Sequence, residues 1–483
     1  MKKILTQKYF YGGIAESKKV GIEGSFFFGE KMNIFDEPTE FSILPETSKV
    51  SGSTVTDLVK WVVSGAPYDT NKYFYGSGGN IYKETSAGVW SKLQTTANAG
   101  GQGLEIHDDY LYYTQDTQIG RYGTLSGTPS FTDDWQTGLN STATTDIAPI
   151  KAFKEGLAVG HGNYLGWWDG ATWDADRLVL PPGLNIRSLE VLNEYLVIGT
   201  WRGTSITDNE EGYLFFWDGT STTFNYFMPM AEGGCNAMVN TQNRLFSVWG
   251  SSGGLYMNYE PFTKVQQIPK MTNDTYMEVL SGAMTNWKNI TYIGVSGNTD
   301  NTSLKQGVYS FGSKGIRYPE VLNYCFPIST GTTTGTSLKI GAVKGMGNNL
   351  YIGWRDDTSY GVDKVTNSGD PYSSAYMETL IFDDNNTSGD KKITGILATH
   401  LPLASGESVQ LSYKRDRASS YTDGDANDTE NDTETYLPIP PQSRRFKEWQ
   451  VKCTIATTGT TTPTITSLGF KYDDLKEEKS YGN

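Results

Sequence analysis

Short apolar runs, broken every few residues by Gly, Asn, Asp or Thr, make up most of this chain. One phrase recurs: a polar turn residue, a short gap, then an aliphatic-aromatic run ending near Gly. It reads NKYFYGSGG from Asn71, DYLYYTQ from Asp109, EGLAVGHG from Glu155 and NEYLVIGTW from Asn193. It continues as NRLFSVWGS from Asn243, KNITYIGVSG from Lys288 and NNLYIGWRD from Asn348. Successive starts lie roughly 38 to 60 residues apart, a spacing typical of propeller blades. One blade cannot bury both of its apolar faces, so the repeat predicts a closed array of about seven. After each leading strand a second strand often ends in an aromatic-Asp-Gly turn, as in LGWWDGATW and LFFWDGTST. Asp-Gly favours a tight hairpin, and the ring before it is expected to pack between blades.

The pattern changes outside the repeats. Residues 1–60 read as an N-terminal arm of turn signals and short apolar pieces, expected to pack on the first or last blade and to donate a closing strand. Val55, Leu58, Val59 and Val62 have helical spacing, but the same stretch reads equally as the strand leading into the first blade. Residues 61–372 read as the propeller, with loop insertions at 202–211 and 298–306. Residues 373–473 carry longer strands and a clean alternation at Trp449, Val451, Cys453 and Ile455, expected of an antiparallel β-sandwich. Its predicted core is Leu380, Ile393, Ile396, Leu411, Trp449, Val451, Ile455 and Leu468. Residues 474–483 read as a flexible polar tail. The fold class is therefore all-β: an about seven-bladed propeller with a C-terminal antiparallel sandwich.

Composition narrows the chemistry. The 483 residues carry a net charge of −14, which disfavours a direct grip on nucleic acid phosphate. No run of about 18 apolar residues predicts a membrane span, and no apolar run follows Lys2 and Lys3 as a secretory signal requires. Three distant cysteines, Cys235, Cys325 and Cys453, read as buried free thiols suited to a reducing cytosol. The triplets at Asn140, Asn273 and Asn289 then read as accidents of composition rather than glycosylation sites.

Catalytic signals are scarce. The three histidines, His107, His161 and His400, have no metal-ligand spacing and read as packing or loop residues. Trp168 to Trp173 resembles a sialidase Asp-box only loosely, because Asp169 and Gly170 touch instead of being separated. Asp423, Asp425, Asn427 and Glu434 fall at EF-hand positions 1, 3, 5 and 12, but Asp428 replaces the turn Gly. A solvated acidic hairpin loop is the expectation there, with calcium as the alternative. Trp201, Trp354 and Tyr360 lie near loop starts and are the aromatic candidates for exposure. No catalytic, cofactor-binding or metal residue is assigned, and no cofactor is expected.

The opening FYGGIAESKKVGIEGSFFFGEKMNIFDEPTEFSILP and the ending TPTITSLGFKYDD resemble a class of tailed-bacteriophage virion proteins, tail components with a propeller and a terminal sandwich. The likeness covers the whole chain in layout. It implies a non-enzymatic structural component of a tail nozzle, tail tip or fibre-attachment ring, made in the host cytoplasm and located in the virion. It further implies repeated contacts with other tail proteins and with copies of itself in a symmetric ring or trimer, and a contribution to host attachment. The alternatives are a module that binds a host surface glycan and a propeller glycoside hydrolase.

Overall fold

The computed structural model describes residues 2–37, 39–96, 100–140, 147–203, 211–230, 232–251, 253–257, 263–267, 277–297, 305–313, 315, 317–335, 337–383 and 390–474. The chain forms two compact units. One comprises Thr47–Tyr309 and Pro327–Thr366; the other comprises Met1–Glu46, Ser310–Phe326 and Asn367–Asn483. The boundaries read from the sequence, at 60 and 372, differ from these: most of the arm groups with the sandwich strands. The insertions expected at 202–211 and 298–306 and the tail fall largely outside the described residues. Among those residues a single 3-10 turn, Pro441–Ser443, interrupts an otherwise all-β structure, and no helix is long and apolar enough to cross a membrane.

The first unit is a ring of seven sheets. Blade 1 is Val59–Ser64, Lys72–Gly76, Asn80–Ser86 and Val89–Thr95; blade 2 is Gly103–His107, Tyr110–Gln115, Gln118–Gly123 and Ser130–Thr137. Blade 3 is Ile150–Phe153, Gly156–His161, Tyr164–Trp168 and Trp173–Val179; blade 4 is Leu184–Leu192, Tyr195–Arg202, Tyr213–Trp217 and Tyr226–Pro229. Blade 5 is Cys235–Thr241, Arg244–Trp249, Gly254–Met257 and Thr263–Gln267. In blade 6, Met277–Glu278 and Met284–Trp287 both pair with Ile290–Gly297. Blade 7 is Lys339–Met346, Asn349–Asp356 and Ser359–Thr366, completed by Ser48–Lys49 from near the other end of the chain. Each inner strand packs on the next, and that of blade 7 returns to that of blade 1, so the ring is closed.

The recurring phrase has a local cause. In blades 2, 5 and 6 the inner and second strands are joined by two-residue turns with positive φ at both positions: 44° and 67° at Asp108 and Asp109, 55° and 60° at Gln242 and Asn243, 53° and 66° at Lys288 and Asn289; in blades 3, 4 and 7 only the first turn residue has it, at Lys154, Asn193 and Gly347. Positive φ at both positions is the requirement of a type I′ hairpin, and Asn and Asp tolerate it best. The apolar run that follows is buried on both faces because a blade lies on either side. The buried clusters accordingly fall between blades: Tyr73, Tyr75, Leu111 and Tyr113 between blades 1 and 2, and Phe153, Leu165, Ile198 and Trp217 between blades 3 and 4. Trp167 and Trp217 meet edge to face at 5.4 Å, as do Trp135 and Trp168 at 5.1 Å, so the rings near the Asp-Gly turns bridge neighbouring blades. Gly341 in blade 7 is needed for closure: a Cβ there would stand 2.0 Å from the Val59 carbonyl oxygen of blade 1.

The second unit is the sandwich. One sheet runs Lys2–Gln7, Ile465–Asp474, Lys391–His400 and Glu434–Pro438; the other runs Phe28–Glu30, Ser374–Glu378, Trp449–Thr457, Glu407–Arg415 and Thr422–Asn427. The first and last strands are thus neighbours, with Lys2 opposite Asp473 and Gln7 opposite Leu468. The predicted core residues are buried, except Leu380, which is half-buried. Trp449 stacks on Tyr413 at 4.7 Å and 8°. Phe26 is fully buried, while Phe28 lies beside Tyr324 at 5.7 Å and Tyr376 at 6.4 Å within the same unit.

Candidate functional site

The inner strand of every blade contributes one residue to a layer around the propeller axis. The register identifies them: each lies opposite the middle residue of the apolar run on its second strand. They are Val62 opposite Phe74, Glu105 opposite Tyr112, Lys151 opposite Ala158 and Glu190 opposite Val197. Val239 opposite Phe246, Thr285 opposite Tyr292 and Lys344 opposite Tyr351 complete the set. All four charged members line an axial cavity of about 80 Å³, together with residues from every blade.

The charges balance, but among the described residues only one pair is made. Lys151 Nζ stands 2.8 Å from Glu190 Oε1. Burial pulls the Lys151 ammonium down, but Glu190, aided by Glu105, overrides it and holds its pKa above the ordinary lysine value. The Lys344 ammonium has no hydrogen bond or ion pair with a described residue. Burial, followed by the like charge of Lys151, holds its pKa below the ordinary value against the pull of Glu105 and Glu190. The Glu105 carboxylate forms no ion pair among the described residues and accepts only the adjacent Ile106 N–H, at 3.0 Å. Below this layer Ser281 Oγ donates to the carbonyls of Arg187, at 2.6 Å, and Asn236, at 3.1 Å. Both carbonyls sit where the inner strands of blades 4 and 5 bulge, so the hydroxyl satisfies groups that the ladder leaves unpaired.

The residues singled out in the sequence lie elsewhere. His161 is buried in blade 3: its Nδ1 accepts the Asn140 N–H at 2.8 Å and its Nε2 donates to the Ala175 carbonyl at 2.8 Å. Burial lowers its pKa, so the neutral ring is favoured. His400 lies in the sandwich, with Nδ1 2.9 Å from the Leu401 carbonyl and Nε2 3.0 Å from Thr435 Oγ1. His107 is half-buried at the end of the blade 2 inner strand. The three cysteines are buried and free. Asp169 Oδ1 accepts the N–H groups of Ala171 at 2.8 Å and Thr172 at 2.7 Å, and Asp218 does the same for Thr220 and Ser221 at 2.8 Å. Those bonds hold both carboxyls below the ordinary carboxylate range and commit them to their turns.

Three expectations are corrected. Trp201 and Trp354 are buried, not exposed. The Arg187 guanidinium covers Trp201 at 3.6 Å from the ring centre, and Trp354 Nε1 donates to buried Asp363 at 2.7 Å. Tyr360 is half-buried. The acidic stretch from Asp423 to Glu434 is not a hairpin loop, because Thr422–Asn427 pairs in one sheet of the sandwich and Glu434–Pro438 in the other. The Asn427 amide donates to Asp432 at 3.2 Å and to the Glu434 carbonyl at 3.1 Å, and among the described residues no three His, Cys, Asp or Glu gather as a metal site. Exposed aromatics occur instead at Tyr226 and Phe227, on the outer strand of blade 4, and at Tyr436. The phrase FNYFMPM, apolar on both parities at a strand without a following partner, is the signal that marks the blade 4 pair.

No family model matches the chain, and no curated protein does. Among solved structures, the extracellular domain of a putative hybrid two-component system from B. thetaiotaomicron is similar at 12% identity and TM-score 0.48, over 88% of this chain and 59% of that one. The WD40 repeats of RRP9 align at 11% identity and TM-score 0.43, over 67% of this chain and 99% of that one. The chain thus spans less than two thirds of the first of these. The propeller assignment rests on the strand pairing and the closed order of the inner strands.

Proposed function

We propose that the protein is a non-enzymatic structural component of a bacteriophage tail, at a nozzle, tail tip or fibre-attachment ring. The observation that supports this reading most is the joining of the two segments that carry the resemblance. Phe41 and Ile465 exchange backbone hydrogen bonds at 3.1 and 3.0 Å, and the arm supplies strands to both sheets of the sandwich. The resembling opening and ending therefore form one folded module rather than two unrelated tags. Its edge strand Lys2–Gln7 carries exposed Ile4 and Leu5, a surface suited to association with other tail proteins or further copies of the chain.

Purified particles of the parent phage provide the test. An antibody raised against the chain is expected to label the tail, and the protein to co-sediment with particles through a density gradient. Its absence from washed particles would overturn the reading. Glycan binding is a second reading, favoured by the exposed pair Tyr226 and Phe227. Saturable binding on a glycan array, lost in Phe227→Ala, would establish it.

A further inference from the structure

We propose that the axial cavity of the propeller is a binding site for a small zwitterion, an amino-carboxylate whose carboxylate meets Lys344 and whose ammonium meets Glu105. Four ionisable groups face one cavity: Glu105, Lys151, Glu190 and Lys344. Lys151 and Glu190 neutralise one another at 2.8 Å. Lys344 and Glu105 are left open. In ring order blade 1 separates them, and its residue in this layer is the apolar Val62, which can bridge neither. Both are half-buried in the channel, and an unpaired charge partly withdrawn from water is costly, so each open group favours a ligand of opposite sign.

Charge balance selects the ligand class. A simple anion at Lys344 would face the uncompensated carboxylate of Glu105. A simple cation at Glu105 would face the uncompensated ammonium of Lys344. A molecule bearing both charges satisfies both and leaves the cavity neutral. Size selects within the class. One water needs about 10–15 Å³ of such space, so about 80 Å³ admits roughly five to eight non-hydrogen atoms. Glycine, β-alanine and 4-aminobutyrate span that range with increasing separation of the charges. The apolar neighbours Leu104, Ile150, Leu189 and Met284 suit the methylene link between them.

The test uses the full chain and these three amino-carboxylates, with acetate and methylammonium as single-charge probes. Saturation-transfer NMR reads binding, and a thermal melt reads stabilisation. One amino-carboxylate is expected to bind saturably, at least tenfold more tightly than acetate or methylammonium. Both Lys344→Met and Glu105→Gln are expected to weaken it at least tenfold, and circular dichroism identifies any variant that has not folded. Either variant alone suffices for the comparison. Absence of saturable binding by all three amino-carboxylates would overturn the proposal. So would acetate binding that equals theirs, or binding unchanged in a folded variant.

Discussion

Trp449 shows how one buried ring sets the core of the sandwich. It alternates inward with Val451, Cys453 and Ile455, all nearly inaccessible, and stacks flat on Tyr413 from the neighbouring strand. Trp449→Ala removes that stack and leaves a void, and is expected to cost roughly 3–5 kcal/mol in chemical denaturation of the full chain. A loss below about 1 kcal/mol would show that the ring does not hold this face. One residue earlier, Glu448 turns to the other side and meets cations. Arg417 Nε lies 2.7 Å from it and Lys19 Nζ 2.5 Å. Arg417 first and then Lys19 pull its pKa down from 4.5 to about 2, against a smaller upward push from burial. A depressed carboxyl favours the folded state when ionised. That stabilisation is complete above about 4.5 and is lost as pH falls towards about 2. Between pH 5 and 2.5 the wild-type melting temperature should therefore fall more steeply than that of Glu448→Gln. Parallel curves would mean that the cluster is too well solvated to matter.

Strands and turns explain what the sequence discloses and what it hides. The period is legible because in six of the seven blades a two-residue turn with positive φ at its first position, and in blades 2, 5 and 6 at both, precedes the apolar run, and Asn, Asp, Lys or Gly recur there. Seven repeats therefore stand out in the residues, as do the strands of the sandwich. The channel layer does not. Glu105, Lys151, Glu190 and Lys344 each occupy a polar position in an alternating strand, which reads as a solvated face until register places all of them on one axis. The acidic stretch ending at Glu434 is opaque for a related reason: period-2 alternation marks a strand but not the sheet it joins. Trp201 and Trp354 look like loop aromatics because a cover of Arg187, or a partner such as Asp363, comes from another part of the strand order. Closure of the ring is a property of the seam between blades 7 and 1. There Val59, Val62, Phe74, Tyr351 and Val362 form one buried cluster, and Gly341 admits the Val59 carbonyl. Gly341→Ala is expected to destabilise the propeller by about 1–3 kcal/mol through overpacking at backbone that cannot swing aside. Urea denaturation followed by tryptophan fluorescence reads the change, and an unaltered midpoint would mean that the seam yields.

At the scale of the whole molecule the question is which surface makes contact with a partner. The Phe26–Phe28 run is an unsuitable candidate, because Phe26 is fully buried and its two neighbours are half-buried within their own unit. Deleting the arm would also mislead, since Lys2–Gln7 is hydrogen-bonded along its length to Ile465–Asp474 and its loss would leave that strand's edge unpaired. Side chains that face solvent separate the two effects. Ile4 is 67% exposed and Leu5 41%, on opposite faces of a strand whose outer edge has no partner among the described residues. Apolar residues on both faces of an open edge favour addition of another strand or sheet, and lysine at such positions discourages it. The double change Ile4→Lys and Leu5→Lys leaves the backbone pairing intact. It is expected to shift the melting temperature by no more than about 2 °C, as surface changes of less than about 0.5 kcal/mol do. On the proposed tail role, incorporation into particles assembled in its presence is expected to fall at least tenfold. Full incorporation with unchanged melting would remove the edge strand from the interface and leave the blade loops and the rest of the sandwich as the surfaces that bind.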